Sequence, residues 1–419
     1  MMERQYKDSG IEWIGRIPEG WKTCRLKNLG FLYGGLVGKS GNDFNIEEGD
    51  KYSLYIPFTN IFNNDVIDPN NLHKVKCLDY EEQNEVKKGD LLFLMSSEDY
   101  DGIGKPSILQ VTINPLYLNS FCKGFRITNN NIYPKYLYFF MSSHFVREQL
   151  RLEAKGFIRI NLRQDKLSCC SIFLPPLPEQ QRIASYLDKK CGEIDALIAL
   201  QEKMIAQLTE YKQAVITEAV TKGLDPNAKL IPSGIEWIGD VPEGWRVCRI
   251  KDIVNLQSGT NLTTMDITET GQYPVYGGNG IRGYYHEYTN EGEFILIGRQ
   301  GALCGNINYA SGKFWATEHA VVCYPKREFA RKWLGELLRA MNLGQYSLSA
   351  AQPGLSVERI RNLYMPLPPL PDQQRIASYL DTKCSEIDTL ITLKRQKIES
   401  LNAYKKSVIY EAVTGKTII

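Results

Sequence analysis

The chain has 419 residues and a mass of 47.8 kDa, long enough for two or more domains of typical size. At 43% apolar and 23% charged residues its composition is that of an ordinary globular protein, which excludes a disordered, collagen-like or disulfide-scaffold chain. The net charge of +2 gives no whole-chain argument for nucleic acid, so any such argument must come from local distribution.

Apolar runs such as Phe294-Ile-Leu-Ile297 and Leu91-Leu-Phe-Leu-Met95 stop far short of the ~20 residues a membrane span needs. Met1 to Asp8 lacks the apolar core of a secretory signal. The ten cysteines show no C-x-x-C spacing and the four histidines (His73, His144, His286, His319) are scattered, so no zinc site is expected. Together these features predict a cytoplasmic protein with reduced thiols and no membrane attachment.

In chain order, the first element is the motif Ser9-Gly-Ile-Glu-Trp-Ile-Gly-Arg-Ile-Pro-Glu-Gly-Trp21, with Trp13 and Trp21. Gly34-Gly-Leu-Val-Gly-Lys-Ser40 approaches a phosphate-binding loop, but its spacing is one residue short and it reads as a Gly-rich loop. Segments 53–59, 90–95 and 124–128 are strand-like, and a helix is expected from Pro134 to Glu153, with proline suited to its first turn. Asn114-Pro-Leu-Tyr117 lacks the second proline of the amino-methyltransferase motif it approaches. No other enzymatic motif is evident. Residues 38–104 carry 6 Lys/Arg against 14 Asp/Glu, whereas 105–166 carry 10 against 3. In the basic half Arg147, Arg151, Lys155, Arg159 and Arg163 recur every four residues, with Asn161 beside them. The first three would share one helical face, suited either to a run of phosphates or to a solvated surface.

Pro175-Pro-Leu-Pro178 then opens a long helical pattern. Ile183, Leu187, Cys191, Ile194, Leu197, Ile198, Ile205, Leu208 and Val215 fall at three- and four-residue steps, and Gly223 ends the run. About 40 residues make a rod on the order of 60 Å long, whose apolar stripe one small domain cannot cover.

From here the chain repeats itself. The opening motif returns as Ser233 to Trp245, a shift of 224, with Trp237 and Trp245; Cys24-Arg-Leu-Lys27 returns as Cys248-Arg-Ile-Lys251. The helix returns at a shift of 193: between 175–223 and 368–416, 18 of 49 positions differ and 31 are identical. Pairing the two helices with each other buries both stripes economically. Between the repeats, the second insert has strand-like Phe294–Gly298 and Ala320–Tyr324 and a helical Phe329–Met341. It also carries Tyr276-Gly-Gly-Asn-Gly-Ile-Arg282 and Gly298-Arg-Gln-Gly301, loops offering Tyr276, Asn279, Arg282, Arg299 and Gln300; Gln352 follows later. Arg pairs with guanine and Asn or Gln with adenine in the major groove; the alternative is two ordinary turns. The frame is nearly identical while the inserts, about 28–174 and 252–367, share almost nothing except near their ends, where Leu162–Leu167 falls in register with Leu355–Ile360.

Leu-Pro-Pro-Leu-Pro-Glu-Gln-Gln-Arg-Ile-Ala at 174–184, its twin at 367–377 and the paired Trp-Ile-Gly-x-x-Pro-Glu-Gly-Trp motifs resemble the specificity subunits of type I restriction–modification systems, over essentially the whole chain. The resemblance implies an α/β (α+β) fold: two target-recognition domains separated by two long helices in an antiparallel coiled coil, with pseudo-twofold internal symmetry. The segments would be 1–174 and 225–367 for the domains and 175–224 and 368–419 for the spacer helices. It further implies a non-catalytic chain without its own cofactor that binds double-stranded DNA, each domain reading one half of a split site. Two methyltransferase subunits and restriction/translocase subunits would be its partners, with S-adenosylmethionine, ATP and Mg on them. Trp13, Trp21, Trp237 and Trp245, with Gln180, Gln181, Arg182, Gln373, Gln374 and Arg375, then serve the joints between inserts and helices or dock a partner subunit. Twofold symmetry would also bring the two termini together. The competing reading is a two-headed scaffold whose inserts bind proteins.

Overall fold

The structure is a computed structural model that describes residues 4–11, 14–77, 81–301, 303–347 and 354–419. The proline-started patterns form two continuous helices, Leu177–Lys222 of 46 residues and Leu370–Val413 of 44. Each is closed by a glycine in the left-handed region, Gly223 (φ +76) and Gly415 (φ +72), where a side chain would be strained. The chain forms two compact units, residues 1–200 with 397–419 and residues 201–396. These cut across the segments read from sequence, because each unit combines one insert with part of both long helices.

In the first unit the start of the first helix meets the end of the second. Ile183, Ala184, Leu187 and Cys191 share one core with Val408, Ile409, Ala412 and Val413. Lys405 Nζ donates to both carboxylate oxygens of Asp195 at 2.8 Å. The insert adds a four-stranded antiparallel sheet in the order Gly30–Gly34, Cys122–Ile127, Leu91–Leu94, Pro106–Ile108, and a three-stranded one in the order Leu116–Leu118, Ser53–Ile56, His73–Val75. The strand expected over 53–59 stops at Ile56, because Pro57 opens a short helix, Phe58–Asn63. The helix expected over 134–153 is two, Pro134–Ser142 and His144–Glu153. Ser143 breaks it with extended backbone (ψ 143), and its hydroxyl donates to the Phe140 carbonyl, a local bond that competes with the helical ladder. The termini do meet: Tyr6 OH donates to Gly415 O at 3.3 Å.

In the second unit the pairing is reversed in sequence and equivalent in contact. Lys212 Nζ donates to Asp388 at 2.8 and 2.6 Å, and Val215, Ile216, Ala219 and Val220 share a core with Ile376, Leu380 and Cys384. The pairs 195/405 and 212/388 follow one antiparallel register. The insert is a single six-stranded sheet in the order Val254–Ser258, Ala320–Pro325, Asn290–Gly298, Ile307–Ala316, Tyr273–Gly277, Gly280–Tyr285. Helix Arg331–Ala340 packs Trp333, Leu334, Leu337 and Leu338 into its core. The ten-residue strand Ile307–Ala316 is absent from the sequence reading. Gly312 (φ +76) lies inside it, and its buried residues Ile307, Ala310, Phe314 and Ala316 do not alternate regularly.

Candidate nucleic-acid interface

In the second unit the turn 277–280 joins two strands and folds back on the loop that follows Gly298. Two glycines allow this: a Cβ at Gly298 would lie 2.0 Å from the Gly278 carbonyl oxygen, and one at Gly278 would lie 2.9 Å from that of Gln300. The contact gathers Asn279, Arg282 and Gln300, with Leu303 and His319, around an open concavity of about 450 Å³. Asn279 Oδ1 accepts from Asn306 Nδ2 at 2.5 Å, which fixes the amide's orientation. His319 Nε2 lies 3.0 Å from Glu318 Oε1. Arg299, although exposed, is held at the side, where its guanidinium donates to Ser258 Oγ at 3.4 Å.

Tyr276 is different. Its ring packs edge-on against Phe314 at 5.5 Å, and burial raises its hydroxyl pKa, so it buttresses the turn. Gln352 and Trp13 lie outside the described residues. Sequence reasoning missed Leu303 and His319, which no motif marks; an exposed leucine (51%) among polar groups is visible only after folding.

In the first unit the four-residue basic spacing does not make one helical face. The helix ends at Glu153, so only Arg147 and Arg151 belong to it, and Lys155 lies beyond. Arg147 turns inward and donates to the carbonyls of Ile103 and Asp101, both at 2.5 Å. Burial, helped by neighbouring Arg151, pulls its pKa down to about 10. It clamps a loop, and its fork is already committed. Arg151 is shared between Glu148 (2.8 Å) and Asp101 (3.4 Å), and Arg163 is paired in fork geometry with Asp165 (2.9 and 3.1 Å). Lys155 and Asn161 exchange backbone hydrogen bonds of 3.0 and 2.9 Å and close a hairpin, with Arg159 near its tip. The Arg159 guanidinium covers the Phe121 ring at 4.3 Å. The structure thus gathers Lys155, Arg159 and Asn161 and removes Arg147 from the solvent-facing set.

The frame residues are placed alike in both units. Trp21 Nε1 donates to Glu179 Oε2 at 3.1 Å, and Trp245 Nε1 to Asp372 Oδ2 at 3.4 Å. Trp237 Nε1 donates to the Tyr364 carbonyl at 3.1 Å. Gln180 and Gln373 are buried, whereas Gln181, Arg182, Gln374 and Arg375 are exposed. The middle glutamines and the described tryptophans therefore face inward, and the outer Gln-Arg pair is the part another molecule can touch.

The model of the type I restriction modification DNA specificity domain matches residues 18–210 and 242–403, most of the chain and once in each half. The chain belongs to the type I restriction–modification specificity family. This specificity chain is 27% identical over 435 residues to the putative MjaX specificity subunit of Methanocaldococcus jannaschii, covering 96% of this chain and 95% of that one. It is 43% identical over 143 residues to the EcoprrI specificity subunit of Escherichia coli, a match spanning 33% of this chain and 35% of that one. Among solved structures it resembles a chain of a type I R-M system studied for complex assembly and conformational transition (TM-score 0.73, 18% identity, 96% and 99% covered). It also resembles the HsdS subunit from Thermoanaerobacter tengcongensis (TM-score 0.54, 18% identity, 98% and 100% covered). The latter two likenesses show a shared fold. The specificity chain is a DNA-recognition subunit of this class, and the protein-scaffold reading is not favoured.

Proposed function

We propose that each unit reads one half of a bipartite DNA site, and that the paired helices set the spacer between the halves. The observation that carries this reading is the concavity of the second unit. It holds Asn279, Arg282 and Gln300 together, side chains able to pair with adenine and guanine edges. In the first unit the surface we assign to DNA is the hairpin 155–161, flanked by Arg151 and Arg163, which are paired with Glu148 and Asp165. The specificity chain itself does no chemistry in this reading. It delivers two methyltransferase subunits that modify adenine, and restriction/translocase subunits that cut, to the site. S-adenosylmethionine, ATP and Mg belong to those partners, which dock on the exposed Gln181/Arg182 and Gln374/Arg375 pairs. The assembly acts in the cytoplasm, where host DNA lies; among the described residues no helix is long and apolar enough to cross a membrane.

The test is methylation-site mapping in a host expressing the methyltransferase complex. Arg282→Ala should relax one position of one half-site, at about 1–3 kcal/mol of lost discrimination, with the other half unchanged. Equal losses on cognate and random DNA would remove Arg282 from the reading set.

A further inference from the structure

The first unit ends its basic segment in a hairpin whose tip is apolar and entirely in solvent. Phe157 is 100% exposed and Ile158 87%. Large apolar side chains left this bare are normally scattered singly, and two at one tip mark a contact surface. The hairpin is anchored rather than loose. Ala154, Ile160 and Leu162 at its base are buried, and Ile160-Asn161 pairs as a strand with Ser96-Ser97. Leu162 N–H is bonded to the Met95 carbonyl at 2.9 Å. The turn is tight: Gly156 has φ +152, and a Cβ there would lie 2.0 Å from the Arg159 carbonyl oxygen. Charge flanks the apolar pair on both sides, with exposed Lys155 before it and exposed Arg159 after it.

We infer that this tip is a wedge that enters the DNA stack within one half-site. Phe157, with Ile158 beside it, inserts at a base step, while Lys155 and Arg159 engage the phosphates on either side. Apolar wedges with basic flanks open base steps in this manner in other proteins, and the flanking charge selects a polyanion over an apolar protein partner. The inference rests on the DNA-reading function proposed above. It also predicts an asymmetry. The register that aligns Leu162–Leu167 with Leu355–Ile360 sets Phe157-Ile158-Arg159 against Ala350-Ala351-Gln352, so the equivalent positions of the second half hold no aromatic residue in sequence.

The experiment uses the full chain in complex with its methyltransferase subunits, on duplexes of the mapped site carrying 2-aminopurine at successive positions. Anisotropy of a labelled duplex is recorded on the same samples. The wild-type complex should raise 2-aminopurine emission severalfold at one step of one half-site, apart from the methylated adenines. Phe157→Ala should lose that rise and weaken binding roughly tenfold, as loss of one base–aromatic stack does. Phe157→Trp should keep it. Because Phe157 contributes nothing to the core, neither variant threatens the fold. Specific binding with no Phe157-dependent rise at any position would overturn the wedge and leave DNA reading standing. No specific binding by the wild-type complex would overturn both. Release of the methyltransferase subunits by Phe157→Ala, with emission unchanged, would overturn the wedge and make the tip a protein dock.

Discussion

The two units share their joints and differ in what the joints carry. In the first, Gln180 Oε1 accepts from Tyr133 N–H at 2.9 Å, and Gln180 Nε2 donates to the carbonyls of Asn131 and Pro175 at 3.0 and 2.9 Å. In the second, Gln373 accepts from Ala330 N–H at 3.1 Å and donates to the Pro368 carbonyl at 2.9 Å. Tyr133 and Ala330 are the residues that cap the insert helices, so the same glutamine pins the same helix end in both. Frame strands pair in matching register, Cys24 with Ile172 and Cys248 with Met365. Above these joints the sheets part company: sheets of four, three and two strands in one unit, one of six in the other. A joint made of buried amides and tryptophans accepts different sheets provided each presents a helix start at the same point, which is what two independently variable readers need.

The largest effect should come from replacing one reader. Exchanging 252–363 for another member's insert leaves the strand pair 246–249/364–367 of the frame intact and should change one half-site completely. Methylation mapping that showed both halves altered would end the idea of independent readers. Lengthening the frame is a subtler break. Four residues added after Leu200 and four after Gln396 fall between the units and spare the 195/405 and 212/388 pairs. Each helix grows by ~6 Å and turns only about 40° beyond a full turn. With base pairs ~3.4 Å apart, the mapped spacer should lengthen by one to two base pairs. An unchanged spacer in an active variant would reduce the helices to tethers.

Removing the pinning amide sharpens the comparison within a single protein. Gln180→Ala leaves the buried Pro175 carbonyl and the half-buried Tyr133 N–H without this partner and should cost about 1–3 kcal/mol. Gln373→Ala, with one bond fewer among the described contacts, should cost less by urea unfolding of each variant. The smallest effect belongs to the ion pairs along the helices. Lys212→Ala should cost ~0.2–1 kcal/mol, since Asp388 is largely solvated. Lys405→Ala should cost somewhat more, because Lys405 also lies 4.0 Å from Asp65 of the insert. Equal thermal shifts for the two lysines would show that the insert contact adds nothing.

The duplicated layout, the two long helices and the proline starts and glycine stops were all legible in the sequence. Each rests on interactions within a few residues: apolar steps of three and four, proline's missing N–H, glycine's tolerance of positive φ. The pairing of the helices was legible too, because two near-identical stripes longer than a domain have few other ways to be buried. The candidate reading surfaces were not. Arg147 looks like its neighbours in the basic spacing until Ser143 breaks the helix and the loop 101–103 takes its guanidinium. Asn279 and Gln300 meet only because Gly278 packs on Gly298, and Phe157 stands in solvent only because Ile160-Asn161 pairs with Ser96-Ser97 more than sixty residues away. Such contacts join distant segments, and no local period encodes them; the sequence by itself determined the frame, and the tertiary structure decided which side chains stand together at the surface.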